Sequence, residues 1–373
     1  LSPFRTCILT FSFILPSEDI VISFFTVHPH KVNITKIITI IENLDKIIIE
    51  KTIQITINQT YEERKVKMSY QILDGKKVSQ KVKDALKERV AALKEKGVVL
   101  SSANSINWGR LVPQIVYYFS AYANLLKNSE IELGEKVNFV VPTGNFGNIL
   151  AGYYAKEMGL PVNKLICASN ANNVLTDFLK TGTYDRNRKF FTTTSPSMDI
   201  LISSNLERLL FHLADENDET IAKWMNELSN EGKYEVTADV KEKVLTLFDA
   251  GCCDDEETKE TIGKTYENGY LLDTHTAVAV KVYRDYVLET GDKTPTVIAS
   301  TANPYKFSAA VLKAVCDKNL DGVDEFRQVD LLMEITGDPC PEQLATLKGK
   351  EPRFTACCEK ENMIDTVYGM LGI

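Results

Sequence analysis

The sequence predicts an α/β protein of three layers, with a parallel sheet covered by helices on both faces. Three observations lead there. Residues 136–143 (KVNFVVPT) are an almost unbroken apolar, β-branched run, the pattern of a strand buried on both sides. The turn Gly144-Asn145-Phe146-Gly147-Asn148 follows, then a helical pattern over 149–158 stopped by Gly159, then a short strand at 165–169 (LICAS). Strand, glycine-rich turn, helix and strand make a βαβ unit, whose two strands must run parallel. The third observation repeats the theme: 294–302 (TPTVIASTA) reads as a strand and 308–316 as the helix after it.

Composition sets the outer bounds. A chain of 373 residues with 44% hydrophobic and 25% charged residues is ordinary for a globular protein and long enough for two or three domains. The net charge of −8 confines any polyanion-binding face to a local patch, so no nucleic-acid partner is expected. Eight cysteines without a C-x-x-C pair argue against a disulfide scaffold and a structural zinc site, and a reducing, cytoplasmic setting is expected.

The chain is uneven along its length. Residues 1–67 contain fifteen Ile but no Gly, Ala, Trp or Met. Alternation at 52–57 suits a strand, yet no hairpin signal accompanies it. The apolar stretches on either side of Glu18-Asp19 are too short to span a bilayer, and no basic n-region or cleavage site marks a signal peptide. Gly and Ala have G/C-rich codons, whereas Ile, Asn, Lys and Phe have A/T-rich ones. The segment therefore reads as translated A/T-rich intergenic sequence, with Met68 as the expected start; the rival reading is a poorly ordered, aggregation-prone arm.

From Met68 the character changes. Val78, Val82, Leu86, Val90 and Leu93 recur at helical spacing, charged residues fill the other face, and Gly97 closes the pattern, so a single amphipathic helix is expected over 76–96. The words MSYQILDGKKVSQKVKDALKERVAALKEKG resemble the start of bifunctional methylenetetrahydrofolate dehydrogenase/cyclohydrolase. The strand and catalytic residues that family places next are absent. A helix packing one face on a core is the simpler reading.

The candidate chemistry lies beyond residue 100. Glycines in GNFGN let the backbone turn its N–H groups inward, and the positive end of the following helix favours an anion such as phosphate. The turn is neither a dinucleotide fingerprint nor a P-loop. Its bland reading is a tight strand-to-helix turn with an asparagine in the left-handed conformation. Residues 101–110 (SSANSINWGR) gather small hydrogen-bonding side chains and an arginine just before an apolar helix at 111–126. They are ordinary caps or a site for a second anionic group. Ser300-Thr301 closes a strand at the edge where open α/β sheets bind ligands, and a hydroxyl there can reach the ring nitrogen of a pyridine cofactor.

In order, SSANSINWGRLVPQIVYYF, VVPTGNFGNILAGYYAKEMGLP, LICASNANNVLTDFLKTGTY, SPSMDILISSNLERLLF, LLDTHTAVA and STANPYKF resemble threonine synthase from about residue 100 to the C-terminus. The resemblance implies the pyridoxal-phosphate fold of the tryptophan-synthase β type, incomplete at its N-terminus, with residues 1–67 a leader and 68–99 a foreign helix. It implies conversion of O-phospho-L-homoserine and water into L-threonine and phosphate, with pyridoxal 5'-phosphate as cofactor. Gly144, Asn145, Phe146, Gly147 and Asn148 would cradle the cofactor phosphate, and Thr301 would meet the ring nitrogen. Asn104, Ser105 and Arg110 would hold the substrate's phosphate and carboxylate. A neutral hydroxyl at the ring nitrogen steers the cofactor toward elimination and replacement chemistry, with the protein supplying placement. Asp273, His275 and Thr276 belong to the same pattern. His275 invites an acid/base role, but a structural one is preferred because its word opens an apolar helix.

Two family words are absent from the sequence: one resembling FHGPTLAFKD, which carries the Schiff-base lysine, and a Ser/Thr/Gly-rich ATSGDTG loop. That lysine anchors the cofactor and moves protons, so little or no turnover is expected of this polypeptide alone. Apolar faces that the missing segments would cover are expected to promote aggregation. The rivals are another enzyme of the same fold, such as a serine/threonine dehydratase or cysteine synthase, and a non-catalytic fragment that binds phosphate or an intact subunit. SANSIN and LDTHTAVA speak against the first.

Overall fold

The computed structural model describes residues 104–316 and 320–372, apart from 352–354 and 356, together with the short strand at 6–9. The leader beyond that strand, the change of character at Met68 and the helix expected over 76–96 lie outside the described residues. The described residues fall into two units, one formed by 104–351 with the strand at 6–9 and the other by 355–372.

The elements follow in chain order. Strand β1 is Thr6–Leu9, helix α1 is Trp108–Lys127, β2 is Val137–Pro142, α2 is Gly147–Glu157, β3 is Val162–Ser169 and α3 is Val174–Thr181. Then come β4 (Thr183–Asp185), α4 (Leu206–Leu213), α5 (Asp218–Asn230), β5 (Lys233–Glu235), α6 (Ala238–Leu247) and β6 (Phe248–Cys252). Helix α7 (Asp255–Glu267), α8 (Thr274–Thr290), β7 (Thr296–Ala299), α9 (Ser308–Cys316), α10 (Glu325–Thr336) and α11 (Glu342–Ala345) complete the first unit. The second unit carries α12, Met363–Leu371.

Five parallel strands stand in the order β1-β7-β2-β3-β6. The expected layering is present, and side-chain alternation is its cause. Phe139 and Val141, Leu165 and Cys167, Phe248 and Ala250, and Val297 point to one face, where α1, α2 and α3 cover them. Val140, Ile166, Ala168 and Ile298 point to the other, against α8 and α9. All six residues of β2 are buried, as the unbroken apolar run predicts. A second, two-stranded antiparallel sheet pairs β4 with β5, and Tyr184 stacks on Tyr234 with ring centroids 5.4 Å apart.

Parallel strands put every carboxyl end on one edge. Thr143-Gly144 after β2, Asn170 after β3 and Ser300-Thr301 after β7 therefore share that edge, and Thr143 N donates to Ala168 O at 2.9 Å across it. This edge positions the candidate site. The described part of the chain contains no helix long and apolar enough to cross a membrane.

Candidate functional site

The turn between β2 and α2 departs from its simplest reading. The left-handed residue is Phe146, at φ 62°, and not an asparagine. A bulky residue holds that conformation only when the surroundings demand it, and here the ring is 1% exposed and packs on Phe248 with centroids 5.9 Å apart. Core burial of the ring offsets the backbone cost. No side chain caps α2, so its opening N–H groups lack an intrahelical acceptor at the carboxyl edge of the sheet. With the helix dipole, those groups suit an anion.

The two glycines do different work. A Cβ on Gly144 would stand 2.6 Å from Ser197 O and 3.2 Å from Met198 Cα, so backbone approaches backbone where no side chain fits. A Cβ on Gly147 would meet Ser105 Cβ at 3.4 Å, Asn205 Nδ2 at 3.5 Å and Ser105 Oγ at 3.7 Å, ordinary contact. Gly144 is required by close packing of the 3-10 turn Pro196–Met198, and neither glycine has a positive φ.

A buried asparagine organises the turn from outside it. Asn205 is fully buried, and its Nδ2 donates to Asn145 O at 2.8 Å and lies 3.3 Å from Ser105 Oγ. Arg208 donates through one nitrogen to Asn205 Oδ1 at 2.8 Å and through another to Ile106 O at 2.7 Å, tying the 104–107 segment to the same place. Ser203 Oγ donates to Gly144 O at 2.8 Å. Ser203 is itself set by Tyr184, whose hydroxyl accepts from Ser203 N at 2.9 Å and donates to Leu201 O at 3.0 Å. Burial pushes the Tyr184 phenol up to about 12, so its proton stays in place as that donor. From the other side, Tyr118 Oη is 2.8 Å from both Asn148 O and Asn148 Oδ1, and burial raises its phenol well above the ordinary value.

The remaining expected residues are placed as follows. Ser105 meets the glycine turn through Asn205. Asn104 is exposed and its Oδ1 accepts from Ile106 N at 2.8 Å, while Asn107 caps α1 through Gly109 N. Arg110 is exposed in the first turn of α1. Thr301 is exposed just past β7, beside the half-buried Ser300, whose Oγ is 3.2 Å from Thr276 Oγ1. His275 is buried, and its Nε2 accepts from Ser197 N at 3.2 Å. Among the described residues no cluster of three or more His, Cys, Asp or Glu could hold a metal ion.

Comparison with known proteins gives this edge its context. Residues 276–367 match the family model "Threonine synthase, C-terminal". The chain is 49% identical over 230 residues to human threonine synthase-like 1, and 43% identical over 231 residues to the threonine synthase of Saccharomyces cerevisiae. The first match covers 61% of this chain and 30% of the human protein, the second 58% and 44%. A crystal structure of threonine synthase from Brucella melitensis with PLP bound superposes with a TM-score of 0.63 at 35% identity, covering 78% of this chain and 56% of that one. The C-terminal part of this chain is homologous to the threonine synthases. It spans less than half the length of these two curated relatives. The fold expected from the resemblance, the pyridoxal-phosphate fold of the tryptophan-synthase β type, is the one present in the described residues. The resemblance of 68–99 to a folate dehydrogenase gains no support from these comparisons.

The threonine synthase-like unit thus brings together Gly144 to Asn148 and Ser105, and sets Thr301 on the same edge. Sequence reasoning missed Ser203, Asn205 and Arg208, although they stand in the word ISSNLERLL. Nothing in their spacing marks a polar site: Leu206, Leu209 and Leu210 dominate the pattern as a helical apolar face. The one available signal was a Ser-Ser-Asn run directly before that face, which reads as a cap.

Proposed function

We propose that this domain binds pyridoxal 5'-phosphate in the manner of threonine synthases and belongs to the chemistry that turns O-phospho-L-homoserine and water into L-threonine and phosphate. The uncapped entrance of α2, opened through left-handed Phe146 and held by fully buried Asn205, carries this reading. The N–H groups at the start of α2 receive the cofactor phosphate without needing a cationic side chain. Ser203 and Asn205 hold the carbonyls of Gly144 and Asn145, so the acceptors of the turn are engaged and its donors stay directed at the ligand. Thr301 offers a neutral hydroxyl to the ring nitrogen. Asn104, Ser105 and Arg110 face the phosphate and carboxylate of the substrate, Arg110 through a planar fork suited to either group. When bound, the cofactor supplies an electron sink.

Lacking both family words named above, the polypeptide by itself holds cofactor without covalent attachment and turns over little or no substrate. Seven free cysteines among the described residues fit a reducing, cytosolic setting. The test is a titration of the purified chain with pyridoxal phosphate, followed by fluorescence and by visible absorbance. Saturable binding displaced by inorganic phosphate, with no new absorbance band and no rescue of a threonine auxotroph, is the expected result. No saturable binding overturns the cofactor assignment; a covalent band or rescue overturns the assignment of inactivity.

A further inference from the structure

The first turn of α8 is out of keeping with the apolar helix it opens. Asp273, Thr274, His275 and Thr276 are all at most 3% exposed, and all four are polar. Asp273 is the N-cap, accepting from His275 N at 2.8 Å and Thr276 N at 3.2 Å. Capping explains the carboxylate but not a buried imidazole beside it.

The ring has a defined proton arrangement. Ser197 N–H can only donate, so His275 Nε2, 3.2 Å away, carries no proton. The proton of the neutral ring is on Nδ1, which faces Asp273 Oδ1 at 3.4 Å and Thr274 Oγ1 at 3.3 Å. The ring face packs on Phe307, centroids 4.7 Å apart. Ser197 is the residue whose carbonyl leaves Gly144 no space for a Cβ. A continuous set of contacts therefore runs from Asp273 through the imidazole to the backbone of the glycine turn. A second arm runs the other way. Thr276 Oγ1 donates to Asp273 Oδ2 and stands 3.2 Å from Ser300 Oγ, next to Thr301. One carboxylate thus serves two strand ends that are far apart in sequence.

We propose that Asp273, His275 and Thr276 form a positioning strut that fixes the Gly144–Asn148 turn relative to Ser300-Thr301, and so sets which phosphate-bearing ring ligand fits between them. His275 is a positioning residue here: it acts on the ligand through Ser197 and Gly144. The inference rests on the reading that the glycine turn receives a phosphate.

Two substitutions separate the strut from mere packing. His275→Phe keeps a ring against Phe307 but removes the acceptor for Ser197 N–H, whereas His275→Gln retains an acceptor. Pyridoxal phosphate should bind His275→Phe about tenfold more weakly than the unaltered chain, the worth of one hydrogen bond, with His275→Gln restoring most of the loss. Amide NMR supplies a readout independent of cofactor: the Gly144 signal should move in His275→Phe and return in His275→Gln. Should His275→Phe fail to fold, Thr276→Val against Thr276→Ser asks the same question at the Ser300 and Thr301 amides. If the unaltered chain binds no pyridoxal phosphate, the functional reading fails, and the amide shifts alone decide the strut. Unmoved amides in His275→Phe, or unmoved Ser300 and Thr301 amides in Thr276→Val where those are the variants measured, overturn the strut. A protonated Nε2 in the histidine ¹⁵N spectrum also overturns it.

Discussion

Replacing Gly144 with alanine adds one methyl group where Ser197 O would lie 2.6 Å away and Met198 Cα 3.2 Å away. The first distance is about 0.8 Å short of the 3.4 Å at which ordinary contact begins, and both opposing atoms are backbone, so no rotamer change relieves it. Either the 3-10 turn or the glycine turn must move. The first movement pulls Ser197 from His275; the second pulls Gly144 O from Ser203 Oγ. Overpacking of this kind costs about 1–3 kcal/mol. For a body of this size that lowers the melting temperature by roughly 2–4 °C per kcal/mol. Gly147→Ala is the internal control, because its methyl would meet Ser105 and Asn205 at 3.4 Å or more. Thermal unfolding of the three proteins, with pyridoxal phosphate titration of each, reads the outcome. Gly144→Ala should be the less stable variant and the weaker binder through a displaced turn, while Gly147→Ala melts near the unaltered chain. Equal melting temperatures for Gly144→Ala and the unaltered chain, or a larger loss in Gly147→Ala, would refute the close-approach argument.

Asn205→Ala leaves Asn145 O and the Arg208 guanidinium without their buried partner. Stability should fall by about 1–3 kcal/mol in a denaturant titration, with weaker phosphate binding alongside. Asp292 gives a pH dependence. Its partial burial acts to raise the carboxyl, but bonds from Thr294, Tyr286 and Asn138 outweigh this and hold it at about 2. A depressed folded value stabilises above the ordinary 3.8 and is lost as the pH falls toward 2, so acid should remove about 1 kcal/mol after solvent screening. Asp292→Asn should flatten that part of the stability profile, which chemical denaturation at stepped pH can follow. Burial in the apolar core pushes the Cys167 thiol up to about 12. Brief alkylation at pH 8 should label exposed Cys357 and Cys358 and spare Cys167 until the protein unfolds, as peptide mass mapping would show.

Much of the architecture was legible because a parallel sheet imposes a strong local pattern. Strands expected at 136–143 and 165–169 are observed as Val137–Pro142 and Val162–Ser169, and the helix at 308–316 is observed with those bounds. The helix expected from 149 begins at Gly147, because a left-handed Phe146 starts the turn two residues sooner. No spacing rule signals that a phenylalanine will adopt this conformation. Burial against Phe248 decides it, and Phe248 is about a hundred residues away.

Local sequence was enough to mark the Gly144–Asn148 turn and Ser300-Thr301, each directly after an apolar, β-branched strand run, as residue types suited to a ligand. These follow from backbone chemistry and from periodicity, which act over a few residues. It took long-range packing to bring Asn205, Arg208 and Ser203 onto the glycine turn and to set His275 against Ser197. Ser203, Asn205 and His275 stand 59, 60 and 78 residues from the groups they bond, and Arg208 stands 102 from Ile106; a hydrogen bond depends on geometry that only packing of the whole unit creates.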